Sequence, residues 1–201
     1  AIAAMSSQAR GDLFEFIFRR AAPEDYAAIL RLQSANYIAN LSDEERKEGF
    51  LSAQFTLEQT AQIAEDLGTM VAVVDNRLAG FLCAFRREFD TGSPVIAKML
   101  DSYDRVTFED KPLNSFNSYI YGPVCIAREH RRRGLLRGLY EAQKNDLAGR
   151  FEVGVAFVSR SNSHSLQAHI AGLGMIEVGD FEIKGNIYVI LAFRVPPVTG
   201  S

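Results

Sequence analysis

The sequence predicts a single α/β domain built on a mixed, partly antiparallel sheet, and three observations carry that expectation. Apolar runs of strand length alternate with stretches of helical periodicity along the chain, with no low-complexity tract and no repeat. Two pairs of apolar runs are joined by short polar turns, Asp75-Asn76-Arg77 and Lys184-Gly185-Asn186, as hairpins require. The 201 residues, 47% hydrophobic and 23% charged, suffice for one well-buried core and are few for two.

Taken in order, Phe14 to Arg19 reads as a first strand. Pro23 with Glu24 and Asp25 then opens a helix, because proline is tolerated at the first helical position and acids favour the first turn. That helix carries Tyr26, Ile29, Leu30 and Gln33. A polar segment from Asn40 to Glu48 leads to Phe50, Leu51 and Phe55, and Thr56 with Gln59 forms a capping box for a helix ending at Leu67-Gly68. Val71 to Val74 and Leu78 to Phe85 form the first hairpin. Asp90 to Lys111 reads as an insertion containing a short helix. Tyr119 to Ile126 is the next strand, interrupted by Gly122-Pro123, where glycine weakens pairing and proline donates no hydrogen bond, so a bulge or break is expected. Gly134 to Ala148 is helical with Leu135, Leu136, Leu139 and Leu147 on its buried side. Phe151 to Val158 is apolar enough for a central strand. Ser161-Asn162-Ser163 starts a helix that runs to about Leu173 and stops at Gly174. Met175 to Ile183 and Ile187 to Phe193 close the chain as a strand pair.

Composition excludes some classes of function. A net charge of -3 and a pI near 5.7 argue against nucleic-acid binding driven by overall charge. Cys83 and Cys125 both sit in apolar runs and make no disulfide framework, as expected in a reducing cytoplasm. No apolar run approaches the roughly 18 residues that span a bilayer, and the beginning of the chain lacks a basic-then-apolar signal pattern. The expectation is a cytoplasmic protein with no membrane or nucleic-acid partner, monomeric or homodimeric. Residues 1–12 read as a disordered or expression-derived N-terminus, 13–195 as the domain and 196–201 as a tail.

The most informative segment is Val124-Cys125-Ile126-Ala127-Arg128-Glu129-His130-Arg131-Arg132-Arg133-Gly134-Leu135-Leu136, an apolar strand running into a basic, glycine-containing helix start. The free N–H groups of a first helical turn carry roughly half a positive charge from the macrodipole, so a phosphate is stabilised there. Consecutive arginines add charge and forked donors. Taken alone, the segment also reads as a solvated basic turn opening a surface helix.

At these residues the chain resembles the GNAT superfamily of acetyl-CoA-dependent N-acetyltransferases, and the resemblance extends over nearly all of the chain from Phe16 onward. Its most specific element is R-x-x-G-x-(G/A), matched by Arg131 and Gly134, with Leu136 standing where the pattern has glycine or alanine. Phe18-Arg19-Arg20-Ala21-Ala22-Pro23-Glu24-Asp25 is similar to the family's first strand and helix start. Asn162, Ser165, His169, Leu173, Gly174 and Met175 are similar to a second signature, N-x-x-(A/S)-x-x-x-(Y/H) followed by leucine, glycine and an apolar residue, with one extra residue between His169 and Leu173. Asn162 and His169 fall within about 20° of each other on a helical wheel, so both can face one groove.

The resemblance implies a GNAT-like acyl-CoA N-acyltransferase fold, with a central mixed, mostly antiparallel sheet and helices on both faces. It implies acetyl-CoA as cofactor, a pyrophosphate held by Arg131, Arg132, Arg133, Gly134, Leu135 and Leu136, and a pantetheine arm bonded by Asn162 with Ser165 beside it. The physical reading agrees. If the strand splays at Gly122-Pro123, the backbone through Val124, Cys125 and Ile126 can pair with the arm as with a bound strand, and the Val124 N–H can polarise the thioester carbonyl.

Catalytic residues are poorly marked. Tyr121 and Glu88 are the candidates for general base and His169 for general acid, each with a bland alternative: a core tyrosine, a strand-end charge paired with Arg86 or Arg87, and a half-buried helix histidine. His130, His164 and the cysteines have no metal-ligand spacing, so no metal is expected. Three functions stay open. The first is acetyl transfer from acetyl-CoA to a primary amine of a small molecule or protein by direct attack in a ternary complex. The second is a catalytically silent acyl-CoA-binding sensor or interaction module, and the third is nucleic-acid binding through Arg131 to Arg133. The acceptor side is expected to be shaped by Asn40 to Phe55, Asp90 to Lys111 and the final hairpin.

Overall fold

The computed structural model describes residues 16–198. Phe14 and Glu15 of the expected first strand, and residues 1–13 and 199–201, lie outside that range. Within it β1 (Ile17–Arg20), β2 (Thr69–Val74), β3 (Arg77–Phe85), β6 (Ser118–Ile126), β7 (Val153–Ser159), β8 (Ile176–Ile183) and β9 (Asn186–Arg194) form one sheet in the order β1-β2-β3-β6-β7-β9-β8. All neighbouring pairs are antiparallel except β6 and β7. The remaining strands, β4 (Thr107–Phe108) and β5 (Lys111–Pro112), make a small separate hairpin at the end of the insertion. Mixed, mostly antiparallel architecture is therefore what the sequence folds into.

Local chemistry explains the elements. Asp75 and Asn76 both take positive φ, 49° and 61°, as do Lys184 and Gly185, 48° and 85°. Two such residues in succession give the turn whose twist matches the flanking strands, and the side chains tolerant of it stand there. A 3-10 turn at Pro23–Asp25 leads into α1 (Tyr26–Asn36), and a short α2 (Asp43–Arg46) is boxed by Ser42 and Glu45. The expected box at Thr56 and Gln59 opens α3 (Leu57–Glu65), with both reciprocal hydrogen bonds formed, at 3.1 and 3.0 Å. Ser93 caps α4 (Pro94–Asp101), the short helix of the insertion. The long α5 (Leu135–Leu147) starts at Gly134.

Alternation along the strands divides the core in two. Val71, Val73, Phe81, Phe85, Ile120, Val155 and Ile190 face one side, covered by Ile29 of α1, Ile63 of α3 and Met99 of α4. Met70, Ala72, Leu82, Ala84, Tyr119, Tyr121 and Leu191 face the other, covered by Leu135, Leu139 and Leu147 of α5. Helices thus lie on both faces.

Two irregularities position the site. The register of β6 on β3 shifts between Leu82↔Val124 and Ala84↔Tyr121, so Gly122-Pro123 supplies one extra residue, the bulge expected there. Side-chain parity flips across it. Tyr121, Val124 and Ile126 all lie on the α5 side, and Cys125 turns to the α1 side. The second irregularity follows α6 (Ser163–Gln167), which continues as a π-turn over Ala168–Gly172. A π-turn accommodates one residue more than an α-turn, which is how the extra residue between His169 and Leu173 is absorbed.

Leu136, expected on the buried side of α5, is only half-buried and lines an open cleft. It sits in the first helical turn directly after Leu135, which takes the sheet-facing position of that turn. Gly154 of β7 faces Phe193 of β9, and a Cβ there would lie 2.1 Å from the ring's Cζ. The ring cannot swing aside, being wedged edge-on among Tyr119, Tyr121 and Tyr140 with centroids 6.1, 5.7 and 5.1 Å away. Gly154→Ala is therefore expected to destabilise the fold by about 1–3 kcal/mol through overpacking. Urea unfolding checks this, with an unchanged midpoint as the contrary result.

Candidate active site

After Ile120 the parallel strands part. β6 and β7 pair only at Ser118↔Val153, Tyr119↔Gly154 and Ile120↔Val155. Beyond, Ala127 donates to Ala79 of β3 at 2.8 Å. Since successive backbone groups of a strand alternate in direction, the N–H groups of Val124 and Ile126 point the other way, into the gap. The gap thus has a polar backbone edge, as the bulge suggested. The Ile126 carbonyl accepts from Arg131 Nε at 3.2 Å.

Asn162 stands at the N-terminus of α6, across the gap. It is 6% exposed, and its Nδ2 donates to the Phe50 carbonyl at 2.8 Å. Its Oδ1 is buried with no hydrogen-bond partner among the described residues, and the residue lines the gap. A buried amide oxygen left without a donor is costly, and this atom is an unsatisfied acceptor beside the gap.

His169 and Tyr121 meet at the inner end of the gap. The imidazole is 3% exposed, and its Nδ1 lies 2.7 Å from the Ser165 carbonyl and 3.4 Å from the Ser165 hydroxyl. A carbonyl cannot donate, so Nδ1 carries the proton and Nε2 has a free lone pair. Nε2 accepts from the Tyr121 hydroxyl at 3.0 Å. Burial pushes the His169 pKa below its ordinary value, against the opposing pull of the Ser165 carbonyl. Burial also holds the Tyr121 phenol well above its own ordinary value, helped by Tyr140. The pair is therefore a neutral imidazole and a protonated phenol.

The gap opens outward into a cleft of about 740 Å³ lined by Lys47, Val124, Ile126, Arg128, Arg131, Arg132, Gly134, Leu135 and Leu136 among others. Gly134 has φ 82°, its missing side chain leaves the first turn of α5 without an N-cap bond, and Gly134, Leu135 and Leu136 all line this cleft. Arg132, exposed and at φ 63°, lines it as well.

Other expected residues are placed differently. Arg131 braces the cleft wall: its guanidinium donates to Asn36 Oδ1 at 2.9 Å and reaches the Glu48 carboxylate at 3.7 Å. Arg133 turns out of the cleft, 4.8 Å over the Phe16 ring and 3.5 Å from His130 Nδ1. The Cys125 thiol is buried against Leu32, its pKa pushed up to about 12 by burial. Glu88 is exposed on the turn after β3 and lines neither gap nor cleft. Its expected partners are engaged elsewhere, Arg86 with Asp66 at 2.9 Å and Arg87 with Asn114 at 3.0 Å.

Sequence reasoning did not single out Asn36 or Glu48, which hold Arg131, nor Phe50, which accepts from Asn162. Phe50, Leu51 and Phe55 were legible only as apolar residues. Of the segments expected on the acceptor side, Phe50, Leu51, Ser52, Ala53, Phe55 and Ile96 line the inner end of the gap, and the final hairpin does not.

No protein-family model and no curated protein matches the sequence. Solved structures match over nearly the whole chain. A candidate acetyltransferase from Salmonella typhimurium, solved with its cofactor acetyl-CoA, has a TM-score of 0.59 at 13% identity, covering 92% of this chain and 97% of its own. The ribosomal-protein-S18-alanine N-acetyltransferase from Escherichia coli has 0.59 at 11%, covering 92% and 96%. A GNAT-family acetyltransferase from Streptococcus agalactiae has 0.60 at 16%, covering 89% and 95%. The fold is that of the GNAT acetyltransferases.

Because folding lowers the affinity of His169 for a proton, the unfolded chain binds one more readily below about pH 6.5. The resulting stability is fully present above that value and is lost as pH falls through the lower folded value. The wild-type melting temperature is accordingly expected to fall more between pH 7 and pH 5 than that of His169→Gln, measured by calorimetry in matched buffers. Parallel falls would contradict it.

Proposed function

We propose that this protein transfers an acetyl group from acetyl-CoA to a primary amine of a small molecule or protein by direct attack in a ternary complex. The observation that carries the reading is the parted strand pair, with free Val124 and Ile126 amides on one wall, the orphaned Asn162 Oδ1 on the other, and an uncapped helix start at its outer end. That sequence of donors and acceptor fits, from the inside out, a thioester, a peptide-like arm and a pyrophosphate. Fold neighbours support it: one was solved with acetyl-CoA, one acetylates a ribosomal-protein alanine, and another is a NatC complex bound to a Gag peptide and CoA.

Acetyl-CoA supplies the activated acyl group and a thiolate leaving group of tolerable basicity. The Val124 N–H polarises the carbonyl and Asn162 Oδ1 accepts an amide N–H of the arm. The amides of Gly134, Leu135 and Leu136 and the Arg132 side chain hold the phosphates, with Leu136 setting how near they come. Arg131 keeps the wall in place, and Ser165 orients His169. Holding amine and thioester together accounts for about 7–11 kcal/mol of the barrier, more than the 3–5 kcal/mol or so that acid–base help contributes.

A lysine-like amine is neutral only a few parts in ten thousand at pH 7, so its proton must be taken. The Tyr121–His169 pair is suited to this. The ammonium loses two protons in all: the first passes to solvent and frees the attacking lone pair, and the second is taken by the Tyr121 oxygen, whose own proton passes to His169 Nε2, as the new N–C bond forms and the C–S bond breaks. The reverse transfer delivers that proton to the thiolate, so the pair ends as it began. His169 thus acts first as base and then as the source of the acid proton.

Mixing the protein with acetyl-CoA and a broad amine panel tests the reading by release of free thiol. Tight cofactor binding without thiol release by any amine would mean a silent sensor instead. Tyr121→Phe is expected to lower kcat about 10²-fold or more with little change in acetyl-CoA affinity, and the acidic limb of kcat/KM to lie below pH 6.5. Asn162→Ala is expected to weaken acetyl-CoA binding about tenfold, by calorimetric titration. An unchanged Kd would remove Asn162 from the arm's site.

A further inference from the structure

The inner end of the gap widens into a pit of about 90 Å³ whose chemistry differs from that of the outer cleft. Its far walls are Phe50 and Phe55 from the segment before α3, Phe85 at the end of β3, Ile96 of α4, Ile120 of β6 and Phe157 of β7. Among the described residues no aspartate, glutamate, lysine or arginine lines it, whereas Lys47, Glu48, Arg128, Arg131 and Arg132 line the cleft. The Tyr121–His169 pair stands on its rim.

Two physical consequences follow. A second cation brought into this pit would lose water and find no counter-charge, which buried charges do not tolerate. An uncharged aliphatic group gains about fourfold in affinity for each methylene buried. Size narrows the class, because an enclosed apolar cavity that holds a benzene ring measures about 150 Å³. The pit stops short of that, and its side at Val124 and Asn162 is the one the thioester and arm would take, so the space left at the phenylalanine and isoleucine walls matches a small branched chain.

We propose that the acceptor is a primary amine bearing a small, uncharged, branched-aliphatic substituent, which seats in the pit while the amine meets Tyr121 at its rim. The proposal rests on the acetyl-transfer reading and names the substrate class of that site. The same chemistry is presented by a free aliphatic amine or by the first residue of a peptide chain. In either case the amine nitrogen gains the acetyl carbon as the thiolate departs with the amine's proton.

The experiment is thiol release from acetyl-CoA by the full chain, with leucinamide, a peptide beginning with leucine, isopentylamine, glycinamide, phenylalaninamide, Nα-acetyl-lysinamide and spermidine as acceptors. Leucinamide is expected to exceed glycinamide in kcat/KM at least tenfold, and also to exceed phenylalaninamide, the lysine derivative and spermidine. Isopentylamine equal to leucinamide identifies a free amine, and preference for the leucine peptide identifies a chain terminus; both support the class. Ala53→Leu, which adds bulk at the pit's half-exposed edge, is expected to bring the leucinamide-to-glycinamide ratio toward one. Ile96→Ala, which enlarges the pit, is expected to raise phenylalaninamide relative to leucinamide.

Spermidine or the lysine derivative as the best acceptor, or glycinamide equal to leucinamide, overturns the class while leaving acetyl transfer standing. Butyryl-CoA outpacing acetyl-CoA with glycinamide also overturns it, by assigning the pit to the donor's acyl chain. No thiol release by any amine, with acetyl-CoA still bound, would instead sink the acetyl-transfer reading on which the proposal rests.

Discussion

The parting of β6 from β7 after Ile120 is the constraint on which the rest of the structure depends. A parallel pair inside a sheet is normally satisfied along its length, because unpaired backbone groups away from water are costly. Here Gly122-Pro123 inserts one residue opposite β3, turns Val124 and Ile126 toward α5, and leaves their amides facing the gap. The gap's stability is supplied by its surroundings. β3 holds β6 on one side, β9 holds β7 along its full length, and Arg131 ties the Ile126 carbonyl to α1 through Asn36.

The proton chemistry grows out of the same bulge. Tyr121 is the last residue before it, held by the aromatic cluster with Tyr140 and Phe193, so its hydroxyl is fixed against His169. The π-turn sets His169 at that height on its helix while Ser165 determines which nitrogen bears the proton. Burial keeps the imidazole neutral and the phenol protonated. Neither a carboxylate nor a charged group is needed within the pit, which leaves it apolar.

Much of this was legible in the sequence, and the reasons are specific. Turn residues that tolerate positive φ located both hairpins, the Thr56 and Gln59 box located a helix start, and Gly122-Pro123 located the bulge, because each acts over a few neighbouring residues. Asn162 and His169 were placed on one groove by helical spacing, and the extra residue after His169 became intelligible only as a π-turn. Side-chain direction was less legible. Three consecutive arginines look alike in sequence, yet Arg131 braces a wall, Arg132 lines the cleft and Arg133 stacks on Phe16. Those fates depend on Asn36, Glu48 and Phe16, which are distant in the chain. Leu136 read as buried because periodicity does not register that the first turn of α5 overhangs the cleft. Glu88 read as a base because strand-end position says nothing about which way the following turn leaves the sheet. The apolar pit was hidden for a related reason, since residues that line a pocket and residues that fill a core are the same types.

The most direct test of the account is amide hydrogen exchange of the full chain with and without coenzyme A, resolved to single residues. The account requires that the cofactor slow exchange at Val124 and Ile126 within the gap and at Gly134, Leu135 and Leu136 at the helix start, with Phe81 and Cys83 of the paired β3 unaffected. Binding that protects the helix start while leaving Val124 and Ile126 unchanged would contradict it, because the parted strands would then not be what receives the arm.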